Sequence, residues 1–447
     1  MATDKLLNDI RSRRIDGNII DPTHSAFDSS RRVWNAMADR RPAVVVQARS
    51  VQDVEKVVRT AAEHGTLLAI RGGGHSLPGL STCDGGIMLS LSQMNSIVVD
   101  VSSLRAEAQG GALLGDLDRA AVPSGVVVPA GVVSHTGVAG LTLGGGMGWL
   151  SRRLGLSIDS LIAADIVTAD GHSRRVSATE EPDLFWAIRG GGGNFGVVTK
   201  FVFQMHSLGD VLIGSWVYRV ADSAAALRRY RDLVAKAPRE LSTGFVLTSA
   251  ELLMTAVWSG GVQGAEPAVA AFGKLGSPTS GTIGGLSFLD LQRRSDDRMA
   301  WNRRYYAKGG YLKEVDDRAI ERMVDDIVSA PSPDAEYYVL QLGGAVADID
   351  DDATAYTGRA AGHYWIVESG WDQKANDDQF VGWSRMAAAR LAEISMSGNY
   401  VNEQADFGKE VAIGAYGEGK YDRLAKLKWR YDSTNLFRLN QNIEPRP

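Results

Sequence analysis

The stretch LLAIRGGGHS, residues 67–76, sets an apolar run directly against three glycines and a histidine. Leu67 to Ile70 read as a buried strand. Three consecutive glycines let the backbone turn tightly. Their N–H groups then form an anion-binding concavity suited to a pyrophosphate. Taken alone, the same loop also fits a tight turn with an incidental histidine. Upstream, Ala43 to Val46 read as another buried strand. Ser50 starts a helix in which Val51, Val54, Val57, Val58, Ala61 and Ala62 recur at helical spacing. Ser50 with Asp53 resembles a capping box, and Gly65 falls where a C-cap belongs. The whole is a βαβ-type unit that ends in the glycine loop.

Two more glycine clusters follow. Residues 129–149, PAGVVSHTGVAGLTLGGGMGW, make a second glycine-lined wall. Its backbone suits close approach to a flat or phosphorylated ligand, or else a crossover between lobes. The third cluster, Gly190 to Gly196, contains Gly191-x-Gly193-x-x-Gly196. That spacing matches a dinucleotide fingerprint, but a helix-like stretch (Asp183 to Ile188) precedes it and a strand follows. The fingerprint requires the reverse order. No P-loop lysine pattern occurs. Further strands are expected at Ile87 to Leu91, Ile97 to Val101, Val126 to Val128, Ala164 to Thr168 and Val197 to Phe203.

After about residue 210 the texture changes. Strand-like runs (Leu212 to Tyr218, Leu253 to Trp258, Tyr337 to Leu342, Tyr364 to Glu368) alternate with amphipathic helices. The helices are Ser223 to Ala235, Arg318 to Ser329 and Asp378 to Ile394. This predicts a second domain, an antiparallel sheet covered by helices. The stretch from Tyr421 onward begins as helix and turns amide-rich from Asp432 to Ile443.

A chain of 447 residues exceeds one ordinary core, which fits two lobes. Its 44% apolar and 23% charged content is that of a soluble globular enzyme. A net charge of −5 argues against a nucleic-acid surface. With Cys83 as the single cysteine, no intramolecular disulfide or thiolate metal cluster can form, and no metal is expected. No run reaches membrane-spanning length. Met1 to Arg14 lacks the apolar stretch of a signal peptide, so a cytoplasmic protein is the default expectation.

Taken together, these segments resemble the vanillyl-alcohol-oxidase superfamily, and within it the berberine-bridge-enzyme-like FAD-linked oxidases. The similarity rests on ordered motifs. They are RGGGHS at Arg71, CDGGIMLSLSQMNSI at Cys83, AGVVSHTGVAGLTLGGGMGWL at Ala130, DLFWAIRGGGGNFGVVT at Asp183, KGGYL at Lys308, GNYVN at Gly398 and YDSTNLFRLNQNI at Tyr431. A bacterial branch near 6-hydroxy-D-nicotine oxidase and the enterocin-pathway flavin oxygenase looks most similar.

The resemblance implies an α+β fold. A two-subdomain FAD-binding domain comes from residues 1–210 and 398–447, and a substrate domain from 211–397 lays its antiparallel sheet over the flavin ring. It implies FAD bonded covalently through His75. The family's second, cysteinyl link is not expected, because Val133 stands at that position. Cys83 is expected to be structural. Further cofactor contacts are implied for Arg71, Gly72, Gly73, Gly74, Ser76, Gly111, Thr136, Gly137, Gly140, Gly144, Gly145, Gly148, Gly196, Val198, Asn402, Asn440 and Asn442. Thr136 takes the position that gates oxygen access in the family. The amides of Asn402 and of the run Asn440-Gln441-Asn442 fall on the flavin's pyrimidine side, or simply cap loops.

The resemblance further implies hydride transfer from a small organic substrate, an alcohol, amine or other secondary metabolite, to flavin N5. O2 then reoxidises the flavin and gives hydrogen peroxide. The base is open. Glu403 and Leu77 replace tyrosines that many relatives carry. Strand alternation places Tyr364, Ile366 and Glu368 on one face, and Tyr337, Val339 and Gln341 on another. If these faces look on the flavin, Tyr364, Glu368 and Gln341 line the pocket, and a carboxylate such as Glu368 could act as base. Tyr400 and Glu403 are further candidates. His135 either meets substrate or bonds backbone. A monooxygenase, a dehydrogenase and a catalytically silent flavin binder remain alternatives, and both monomer and homodimer stay open.

Overall fold

The computed structural model describes residues 2–447, so of the charged N-terminal segment only Met1 lies outside it. Strand Val44–Gln47 leads into helix Val51–His64. The Ser50 hydroxyl accepts from the Asp53 backbone N–H, and Gly65 ends the helix at φ 58°. The Asp53 carboxylate does not close the box onto Ser50. It accepts instead from the backbone N–H groups of Asp16, Gly17 and Arg49. The helix start thereby ties down the segment before the first parallel strand.

The two strands of the glycine-loop unit are not neighbours. Ile87–Ser90 lies between Val44–Gln47 and Leu68–Arg71, parallel to both, and Asn18–Ile20 adds an antiparallel edge. Both faces are covered. Val44, Val46, Ile87 and Leu89 pack with Val54, Val57 and Val58 of the helix, while Val45 and Met88 pack with Phe27 and Val33. That explains why these strands read as continuous apolar runs rather than alternating ones.

A second, five-stranded antiparallel sheet has the order Ile97–Asp100, Arg105–Gln109, Val197–Gln204, Leu161–Val167, Ser173–Ser177. Phe201, Phe203 and Ile166 from it pack against Leu184 and Trp186 of helix Pro182–Ile188. Leu424, Ala425 and Ile443 from near the C-terminus join the same core. They are carried by helix Lys409–Tyr431, bent at Gly417 (φ 71°), and by the loop after it.

The third sheet has seven strands, all antiparallel, in the order Ser280–Leu286, Val211–Arg219, Glu251–Trp258, Leu241–Leu247, Ala335–Gln341, His363–Trp371, Arg304–Leu312. Helices Ser223–Val234, Asp317–Ile327 and Asp377–Ala392 cover one face with a core containing Tyr230, Ile320, Met323, Trp383 and Leu391. The other face is aromatic and looks back at the glycine loops: Tyr311, Tyr364 and Ile366 cluster with Leu77, Met147 and Tyr400. Gly309 and Gly310 of the KGGYL motif make this possible. A Cβ on Gly309 would strike the Tyr364 hydroxyl, and one on Gly310 the Trp365 indole.

The fold is therefore mixed α and β: a parallel unit, an antiparallel sheet whose core is joined by residues from near the C-terminus, and a helix-covered antiparallel sheet. Among the described residues, no helix is long and apolar enough to cross a membrane, and no group of three or more His, Cys, Asp or Glu could hold a metal ion.

Candidate active site

A cavity of about 530 Å3 opens where the three sheets meet. Its two long walls are the predicted glycine loops. Gly72, Gly73, Gly74, His75 and Ser76 line one side, and Thr136, Gly137, Ala139 and Gly140 the other. The walls touch back to back. A Cβ on Gly73 would stand 2.3 Å from the Gly137 nitrogen, and a Cβ on Gly137 equally close to that of Gly73. Glycine is required at both for the chain's own packing. Gly74 holds φ 78°, where a side chain is strained.

Gly140 and Gly193 also line the cavity, yet a Cβ on either would meet no protein atom within 4 Å. Packing does not ask for glycine there; a ligand lying on the wall would. Val133 also faces the cavity, and its side chain can form no thioether. Cys83 is buried elsewhere, its thiol pushed up to about 11 by burial.

His75 is held from three sides. Trp34 stacks on it with ring centroids 4.9 Å apart, and Trp301 meets it edge-on at 5.8 Å. Its Nε2 lies 2.7 Å from Nδ1 of His135. Burial, with the nearby His135, pushes its pKa down to about 3, so the ring is neutral at pH 7. His135 thus meets a side chain rather than backbone alone. The loop before it is fixed by Asp296, which accepts from the Ser134 N–H (2.8 Å) and hydroxyl (2.5 Å).

Near the C-terminus the chain closes one end. Asn440 and Gln441 line the cavity, and the side-chain oxygens of Asn440, Gln441 and Asn442 are buried without a hydrogen-bond partner among the described residues. Asn194 anchors this segment. Its amide donates to the Gly191 and Gln441 carbonyls and its oxygen accepts from the Ile443 N–H. Below it, Lys428 and Asp432 form a fully buried ion pair at 2.6 Å, with Lys428 also donating to the Asn194 and Phe437 carbonyls.

The seven-stranded sheet supplies the roof. Glu336, Tyr338, Ile366 and Glu368 point into the cavity, with Arg298 above them and Glu403 at the side. Glu336 and Glu368 stand directly opposite each other on adjacent strands. Two carboxylates so placed repel. Arg298 relieves this, forming an ion pair with Glu336 and lowering the pKa of Glu368 against the larger effect of burial, which raises it. Burial pushes Glu403 up to about 7, with Glu368 adding to the rise and Tyr364 opposing it. Tyr400 accepts hydrogen bonds from the Gly146 N–H (3.0 Å) and from the Asn402 amide (2.8 Å).

Several predicted site residues stand elsewhere. Gln341 is on the wrong face: it bonds to Thr243 and to the Val234 carbonyl, under the helices. Tyr337 and Val339 share that face, so the complementary set, Glu336 and Tyr338, looks on the cavity. Tyr364 is one layer behind the wall, packed between Tyr311 and Tyr400. Arg71 does not line the cavity; it is directed to the Ser30 carbonyl and the Trp301 ring. Gly111, Gly144, Gly145 and Gly148 do not reach the wall. They admit the Leu91 backbone, the Asn402 amide, the Tyr356 ring and the Ala130 carbonyl respectively. Asn442 is also set back, whereas Ser76, Thr136, Gly196, Val198 and Asn402 line the cavity. Neither Glu336 nor Arg298 stands out in the sequence; strand register places Glu336, and Arg298 comes from the turn segment between helix Phe288–Arg293 and strand Arg304–Leu312.

Comparison with known proteins agrees with this geometry. Residues 42–177 match the FAD binding domain, and residues 399–444 match the berberine and berberine-like domain. An FAD-linked oxidoreductase of Dictyostelium discoideum is 32% identical, over 92% of this chain and 91% of its own length. The structure of 6-hydroxy-D-nicotine oxidase from Arthrobacter nicotinovorans superposes with a TM-score of 0.88 at 29% identity, covering 97% of this chain and 99% of that one. A glucooligosaccharide oxidase of Acremonium strictum, whose structure revealed a novel flavinylation, gives 0.86 at 25% identity, covering 99% and 98%.

Proposed function

The chain belongs to the berberine-like FAD-linked oxidoreductases, and from that premise we propose that it carries FAD covalently on His75 and oxidises a small organic alcohol or amine. The observation that carries this reading is the placement of His75. It stands on the wall of a cavity that Gly140 and Gly193 also line without any protein packing to require them, and it is neutral and held by Trp34 and His135.

Bound FAD supplies a two-electron acceptor that O2 can reoxidise to hydrogen peroxide. The glycine walls hold it by backbone, and the unpartnered amide oxygens of Asn440 and Gln441 face its site. Residues 1–210 and 398–447 would form the cofactor domain, and 211–397 the substrate domain.

Glu403 takes the substrate proton in this reading. A base works best with a pKa near the operating pH, and burial brings Glu403 to about 7. Glu368 and Glu336, the latter ion-paired with Arg298, orient the substrate from the roof. A cytoplasmic site of action suits the single buried Cys83.

Acid precipitation tests the tether. Wild type should give a yellow pellet and His75→Ala a colourless one; wild type that releases all its FAD would sink the claim. Stopped-flow mixing of the reduced enzyme with O2 tests the oxidase assignment, which fails if reoxidation is slow and yields no peroxide.

A further inference from the structure

The two histidines on the cavity wall are related by a direction as well as a distance. His135 Nε2 lies 3.5 Å from the Asp296 carbonyl oxygen. A carbonyl can only accept, so the His135 tautomer that serves this long contact is the one with its hydrogen on Nε2 and Nδ1 bare. That bare nitrogen faces His75 Nε2 at 2.7 Å, so His75 must carry its own hydrogen on Nε2. His75 Nδ1 is then the atom with a free lone pair, and among the described residues it has no protein partner. The arrangement is fixed from outside. The segment 296–301 pins Ser134 through Asp296, receives the Trp34 indole N–H on the Met299 carbonyl (2.7 Å) and sets Trp301 against His75.

We propose that His135 is the positioning residue for covalent flavin attachment: it selects the His75 tautomer whose Nδ1 is nucleophilic and accepts the Nε2 proton as the bond forms. The proposal rests on the reading that His75 carries the flavin. In the step, a C–H bond of the flavin 8α-methyl breaks and a C–N bond to His75 Nδ1 forms. The electron pair of the broken bond passes into the flavin ring, which is reduced. The alkylated imidazole gives its Nε2 proton to His135 Nδ1. That proton and the one from the methyl group pass through solvent to the reduced ring, and O2 reoxidises it with formation of hydrogen peroxide. Each oxidised flavin bound thus consumes one O2 as it is tethered.

The test follows tethering itself, not turnover. Full-length chain from flavin-starved cells is mixed with saturating FAD in air. Fluorescence quenching reports binding, and acid-precipitable flavin reports the bond over time. His135→Phe keeps a flat ring but offers no acceptor, and should slow tethering on the order of 100-fold at full FAD occupancy. His135→Gln offers an amide oxygen to the His75 Nε2–H and should recover part of that rate. If both variants tether as fast as wild type, the inference is wrong. It is equally wrong if both bind FAD and are slowed to the same degree, because shape rather than an acceptor would then be what matters. Wild type that binds FAD but never retains it through acid removes the His75 tether, and this inference with it.

Discussion

The floor and the roof of the cavity are built on opposite principles. The floor is backbone: glycines from two loops, pressed together at Gly73 and Gly137 and left bare at Gly140 and Gly193. The roof is side chain: Glu336, Tyr338 and Glu368 with Arg298, and Glu403 at the flank. Backbone has no protonation state, so the floor can only fit or fail to fit. The roof titrates. The lesson is a division of labour, in which shape at the floor decides what is held and charge at the roof decides what is done to it.

Breaking the floor should have the largest effect. Gly73→Ala drives a methyl into the Gly137 backbone and should cost about 3 kcal/mol, with loss of bound flavin and all turnover. Thermal melts and the flavin-to-protein absorbance ratio read this directly. Gly140→Ala sharpens the point. Gly140 lies in helix Val138–Gly144, so the change should raise the stability of the flavin-free chain by about 0.5–1 kcal/mol, since alanine suits a helix better than glycine. Yet it should lower flavin occupancy. Unchanged occupancy would mean that no ligand lies against that wall.

Damage to the roof should spare the flavin. Glu403→Gln should keep full flavin content and lose on the order of 10²–10⁴ in kcat/KM. The sign of the pH dependence follows from burial. A base must be ionised, so wild-type kcat/KM should rise with pH up to about 7 and then level off. In Glu403→Gln that limb should vanish. A limb that persists would move the base to Glu368.

The smallest effect on turnover belongs to Asp118, which is buried on helix Leu114–Ala121 with one oxygen unpartnered and lines no part of the cavity. Burial pushes its pKa up to about 8 from 3.8. Between those values the folded chain keeps a proton that the unfolded chain releases, so this carboxyl costs stability as pH rises through the window. Asp118→Asn should therefore leave turnover unchanged, melt like wild type near pH 4 and melt higher above pH 8. A shifted pKa alone would then be shown not to make a site.

The same contrast explains what could be read from the sequence. The glycine floor is local: RGGGHS and the 129–149 stretch each carry their meaning within a few residues, and both loops line the cavity. Glycines at Gly111, Gly144, Gly145 and Gly148 looked the same in sequence, but they serve close approach between parts of the chain. The roof depends on pairing. The run at Ala335–Gln341 is buried on both faces, so alternation could not say which face met the cavity. Register decides it: once Glu368 faces inward, Glu336 opposite it must too, and Gln341 opposite His363 must not. Strands Leu241–Leu247, Ser280–Leu286 and Arg304–Leu312, each carrying one or more glycines that weaken a strand pattern, were not among the strand-like runs read in the sequence. The meeting of His75 with His135, 60 residues apart, follows no spacing rule at all.

Asn194 has one further consequence, for the order of events during synthesis. Its amide is satisfied by Gln441, 247 residues later, and the carbonyl beside it by Lys428, 234 residues later. When the ribosome has made the glycine loops, the groups that close the end of their cavity do not yet exist. The early part must wait with this polar seam open until the later part emerges. Closing so long a loop is slow relative to local folding. Newly made chains should therefore pass through a state that chaperones recognise, and flavin capture should be a late, post-translational event.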